Sequence, residues 1–108
     1  MSQKGEVFYN NNIAGIIEKT DEGDYLFIYD EKYFNDPATE SISLSLSKKR
    51  MIYKSEILFP FFAGLLSEGT NMEIQCRLLK IDRSDFFTRL IKTADRDTIG
   101  PVTVREKL

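Results

Sequence analysis

The chain has 108 residues, enough for one domain and too few for two, and 42% hydrophobic residues supply material for a core. Lysine and arginine number 15 against 17 aspartates and glutamates, a net charge of −2. That balance argues against direct nucleic-acid binding, and Lys48-Lys49-Arg50, the one basic cluster, reads as a solvated turn. The lone cysteine, Cys76, excludes an intramolecular disulfide and sits among apolar neighbours as a small buried hydrophobe. The start, "MSQKGEVFYNNN", has no apolar signal region, and no apolar run approaches the roughly 20 residues of a membrane-spanning helix. The expected compartment is the cytoplasm.

In chain order, "EVFYNNNIAGIIEK" places two apolar runs around Asn10-Asn11-Asn12, a turn that asparagine favours. Strands are expected over 6–10 and 13–19. "TDEGD" makes the next turn, with Gly23 suited to a positive φ, and "DYLFIYD" is a third strand. Tyr25, Phe27 and Tyr29 fall on one of its faces and Leu26 and Ile28 on the other. "EKYFNDPATES" reads as a loop with one helical turn at 31–34. "SISLSLS" has period 2, which predicts a half-buried strand with Ile42, Leu44 and Leu46 inward. "MIYKSEI" holds a short extended piece.

From Ser55 the period becomes helical. Pro60 suits a first helical turn, and Gly69 suits the left-handed stop at the end of that helix. Thr70 and Glu73 form a capping-box pair opening the next helix, which runs to Leu79. A third helix follows, capped by Asp82 or Ser84, with Phe86, Phe87, Leu90, Ile91 and Ala94 on one stripe. Val102 and Val104 lie in a last strand. The expected fold is one α+β domain over 1–108, an antiparallel sheet of about five strands with three helices in the second half.

Chemistry is hard to place on these residues. There is no histidine, so a reactive thiol lacks a base and a zinc site lacks ligands. The acidic residues stand in turns and caps, in "TDEGD", "NDPATE" and "DRSD". The six glycines never approach a Walker A or GxGxxG spacing. The expectation is a non-enzyme without cofactor or metal, which neither binds nor hydrolyses ATP.

What stands out is an apolar surplus. In "ILFPFFAGLLSEG", residues 57–69, the phenylalanines and leucines cannot all face one way. On a helical wheel Met72, Cys76 and Leu79 fall on one side of the next helix, with Ile74 and Leu78 opposite. Such elements need cover on both sides, from a generous core or from another chain.

These residues also carry a resemblance. "ISLSLS", "LFPFFAGLLSEG", the capped helix, "IDRSDFFTRL" and "DRDTIGPVTV" resemble, in order and spacing over about 6–104, the N-terminal subdomain of the HipA toxin-kinase family. Its most specific parts are the phenylalanine-proline segment ending at Glu68-Gly69, then Asp97, Ile99 and Gly100 before a strand. Ser67 departs from the pattern, replacing the proline of "LLPEG", and the chain has no tryptophan. The resemblance implies the following. Full-length members are serine/threonine kinases that phosphorylate an aminoacyl-tRNA synthetase and halt growth, countered by a helix-turn-helix partner. Their N-terminal subdomain packs on the kinase core and holds no catalytic residue. A chain ending where that subdomain hands over is similar to the separate small antitoxin of split, three-gene HipBST-type systems. The implied partner is a HipA-like kinase chain, with or without a helix-turn-helix DNA-binding protein in the same complex. The implied role is restraint of the kinase, or else support of its fold. The expected contacts are Phe61, Phe62 and Leu65, with Glu68 at the rim and Phe59 and Leu66 turned inward.

Overall fold

A computed structural model describes residues 3–95, 98 and 100–107. The chain runs β1 (Gln3–Tyr9), β2 (Asn12–Lys19), β3 (Tyr25–Tyr29), α1 (Glu31–Asn35), β4 (Ile52–Ser55), α2 (Pro60–Ala63), α3 (Gly69–Leu79), α4 (Phe86–Thr93) and β5 (Val102–Lys107). The strands form one sheet in the order β4-β3-β2-β1-β5, antiparallel at every pairing. This is the expected α+β arrangement, with α2, α3 and α4 in the second half.

The first hairpin follows from its asparagines. Asn10 and Asn11 have φ of 48° and 69°, the two positive values that a twist-matched hairpin turn requires. β1 and β2 then pair from Gln3↔Lys19 to Val7↔Gly15, where the register shifts before Phe8↔Ile13. Alternation places Val7, Ile17, Phe27, Tyr29 and Val104 on the buried face. Phe87 of α4 meets Tyr25 there, Phe62 of α2 meets Phe27, and Tyr33 of α1 stacks on Tyr29. The helices that make these contacts therefore lie on the Tyr25–Phe27–Tyr29 face. On the opposite face Leu26 and Ile28 are half-buried.

The segment 41–47 is not a strand. Ile42 and Leu46 are buried as expected, but Leu44 is fully exposed, with a relative accessibility of 101%. The cause is local hydrogen bonding. Tyr29 reaches up from the sheet, accepting from the Ile42 amide at 3.1 Å and donating to the Leu46 carbonyl. Ser43 Oγ accepts from the Leu46 amide at 3.1 Å and Ser41 Oγ from the Lys48 amide at 2.9 Å. Serine oxygens bonded to their own backbone compete with a ladder, and here they win. The fourth neighbour of the sheet comes instead from "MIYKSEI", as β4 beside β3. Among the described residues no helix is long and apolar enough to cross a membrane.

Candidate partner-binding surface

Residues 57–69 are built around Phe62. α2 is a single turn with Pro60 in its first positions, where the missing N–H costs nothing. Turn hydrogen bonds carry the chain on, from the Leu65 amide to the Phe62 carbonyl and from Leu66 to Ala63. This winding drives Phe62 into the core at 0% exposure, in ring contact with Phe27, Phe59 and Phe61. The expected exposure of Phe62 is therefore corrected: one short turn must bury one large side chain to be anchored, and Phe62 is that anchor. Phe59 is buried as expected. Phe61, Leu65 and Leu66 are partly buried against the core, and Glu68 is exposed.

Further expectations change here. Gly69 has the predicted positive φ, 63°, but it opens α3; α2 ends at Ala63, with Gly64 as its C-cap. Thr70 and Glu73 do not form a capping box, because Glu68 is the N-cap and makes no side-chain cap bond. Glu73 instead faces Arg83 at 3.6 Å across open surface. The cap of α4 is Asp85, whose carboxylate accepts from the Thr88 amide at 3.1 Å, one residue past the predicted Ser84. Phe87, Leu90, Ile91 and Ala94 are buried, while Phe86 leaves the stripe and is half-exposed beneath the Arg89 guanidinium.

α3 buries one residue, Cys76, and half-buries Met72. It ends at Lys80, left-handed at φ 56°, with the Ile81 amide donating to the Cys76 carbonyl. The turns flanking the helix are held by one side chain. Arg89, 7% exposed, donates to the Ser67 carbonyl at 2.8 Å and to the Arg83 carbonyl at 3.1 Å. So held, α3 leaves Ile74 at 47% exposure, Leu78 at 74% and Leu79 at 50%. Leu79 and Gln75 line a cleft with Leu65, Ser67, Lys92, Thr93 and Asp95. At about 260 Å³ it is smaller than a usual small-molecule site, and it suits a side chain better than a cofactor. Among the described residues no group of histidine, cysteine and carboxylate side chains could hold a metal ion.

Among the described residues α3 thus carries three exposed large apolar side chains, with Phe61 and Leu65 half-buried and Glu68 exposed in the segment leading to it. The helical wheel placed Ile74 and Leu78 opposite Cys76, yet the expected contacts stopped at Glu68. The signal for Ile74 and Leu78 was the same helix, apolar on two sides, of which the domain buries only Cys76.

The geometry is that of a small α+β module with exposed apolar side chains along α3. The sequence profile of the HipA N-terminal domain matches residues 5–105, and the chain belongs to that family. The solved "N-terminal domain of HipA toxin" is similar to it at 26% identity and a TM-score of 0.71, with 98% of this chain and 93% of that chain covered. A Haemophilus influenzae protein described as uncharacterized is 29% identical over 105 residues, covering 97% of this chain and 93% of that protein. The membership supports a role related to toxin–antitoxin systems. Of the residues that carried the resemblance, Asp97 and Ile99 lie outside the described residues. Gly100 has φ of 94° in the turn before β5.

Proposed function

We propose that the protein is a non-catalytic regulatory subunit, an antitoxin that binds a HipA-like serine/threonine kinase chain in the cytoplasm and restrains it. One observation supports this reading above the others. α3 buries Cys76 against the domain and leaves Ile74, Leu78 and Leu79 in water, on a helix fixed at both ends by Arg89. A pre-positioned apolar helix face is what a partner chain buries, and holding it fixed lowers the ordering cost of binding. A helix-turn-helix protein completes the complex in this proposal, since the chain's own charge gives DNA little to grip.

The same interface would serve a subunit that supports the kinase fold, so binding and activity must be measured together. The test mixes the chain with a HipA-family kinase lacking its own N-terminal subdomain and follows association by calorimetry and phosphorylation by substrate turnover. Association with loss of turnover is expected. Association with raised turnover would establish the supporting role, and absence of association would overturn both.

A further inference from the structure

The serine-rich segment that failed to become a strand forms an anchored, protruding tip. Ile42 and Leu46 are its buried ends, 5% and 2% exposed, each hydrogen-bonded to the Tyr29 hydroxyl. Between them Ser43, Leu44 and Ser45 stand away from the core.

The four hydroxyls of this stretch have different work. Ser41 accepts from the Lys48 amide and is half-buried. Ser43, half-buried, accepts from the Leu46 amide and closes the tip. Ser47, half-buried, lies 3.3 Å from the Tyr53 hydroxyl and accepts from the Lys49 amide. Ser45 is exposed, and its hydroxyl meets only that of Ser43, at 3.2 Å. Its neighbour Leu44 is the most exposed large apolar side chain among the described residues.

Basic groups follow within a few residues. Lys48 is engaged, its ammonium bonded to the Asp36 and Thr39 carbonyls and the Thr39 hydroxyl. Lys49 and Arg50 are exposed, and Lys49 lines a hollow beside the tip with Ser41, Ser43, Leu44 and Ser47.

From this arrangement we infer that Ser45 is a phosphoacceptor site for an ATP-dependent serine/threonine kinase, the HipA-like chain of the proposed complex. The inference rests on that reading for the identity of the kinase. In the reaction the Ser45 oxygen attacks the γ-phosphorus of ATP and forms a new P–O bond. The bond to the β–γ bridging oxygen breaks and ADP leaves with its electron pair. The hydroxyl proton passes to a base of the kinase. Leu44 offers the kinase an apolar handle next to the acceptor, and Lys49 and Arg50 offer acidic residues of the kinase a charge to meet. The product places roughly −1.5 to −2 of charge on the exposed tip, four residues before the exposed Lys49. Ser43 is half-buried with its oxygen already accepting from the Leu46 amide, whereas Ser45 is exposed, so the site is Ser45.

The test incubates the full chain with Mg-ATP and a HipA-family kinase from the same organism, then maps phosphate on the tryptic peptide spanning 33–48 and measures binding in the same mixture. The expected result is phosphate at Ser45, lost in Ser45→Ala and retained in Ser47→Ala, with both variants melting like the parent. Phosphate on another residue, or none on this peptide, overturns the inference whatever the binding. Binding without phosphate leaves the antitoxin reading standing, whereas phosphate without binding or restraint of turnover makes the chain a substrate and removes that reading.

Discussion

The guanidinium of Arg89 donates to the Ser67 carbonyl at 2.8 Å, linking the middle of α4 to the residue two before α3. Its other donor reaches the Arg83 carbonyl, beyond the far end of α3, so a single buried cation fixes both entrances to that helix. Hydrogen bonds to charged groups contribute about 1.5–3 kcal/mol each. Arg89→Met is therefore expected to destabilise the protein by about 2–4 kcal/mol and to speed amide exchange in α3 more than in α4 or the sheet. Exchange in α3 that stays as slow as in the parent would show that the helix is held by something else.

Phe62 and Leu78 should separate stability from binding. Phe62 is fully buried, and Phe62→Ala is expected to cost roughly 3–5 kcal/mol of stability. Leu78→Ser and Ile74→Ser, on exposed positions, should leave the melting temperature within a few degrees of the parent. If either anchors the kinase, binding falls by about thirtyfold, the roughly 2 kcal/mol of an interface hot spot. Unchanged binding in both variants would move the interface off α3, with Phe61→Ala and Leu65→Ala as the next comparison.

The two buried glycines of the first hairpin make a graded prediction. A Cβ at Gly15 would stand 2.4 Å from the Ile28 carbonyl oxygen and 3.0 Å from the Phe27 ring. At Gly5 it would meet side-chain methyls of Val104, Ile91 and Ile17 at 2.9–3.2 Å. Backbone cannot yield as a methyl group can. Gly15→Ala should lower stability by about 1–3 kcal/mol and Gly5→Ala by less, and denaturant unfolding showing the reverse order would contradict the register of β2 on β3.

Alkaline titration probes the tyrosine cluster over α1. Burial pushes the Tyr33 phenol up to about 12, with Tyr29, Tyr9 and Glu40 adding repulsion to its anion. Burial raises Tyr29 as well. A folded-state value above the unfolded one means the neutral phenol is favoured by folding. The stability that Tyr33 contributes is complete below about pH 10 and is lost as pH rises from there through 12. Phenolate absorbance should show late-titrating tyrosines, with one fewer in Tyr33→Phe.

How much of this was legible in the sequence depends on what each segment bonds to. The Asn10-Asn11 turn, the alternation of β3 and the stripe of α4 were readable because their signals are local. The serine-leucine alternation of 41–47 misled, since period 2 is shared by a strand and by a loop whose alternate residues happen to be anchored. The serine oxygens bonded to nearby backbone and the Tyr29 hydroxyl, remote in sequence, together decide between them. Gly69 and Phe62 were misplaced for a related reason. A positive φ serves a helix start as well as a stop, and a one-turn helix cannot show which of adjacent phenylalanines faces the core. The α3 surface was half-legible: the wheel showed two apolar sides but not which of them the domain uses.

The pairing of β5 with β1 joins opposite ends of the described chain, with Lys107 across from Lys4. During synthesis Val7 waits for Val104, its sheet partner nearly a hundred residues downstream, so the core stays open along one edge until the last strand is made. The same adjacency makes the protein a candidate for circular permutation. A short linker from residue 107 to residue 3 would turn β5 and β1 into a hairpin, and new ends could be cut in the exposed turn 21–23. In such a permutant the pairing that now closes last would form first, and refolding should be faster with the same final sheet.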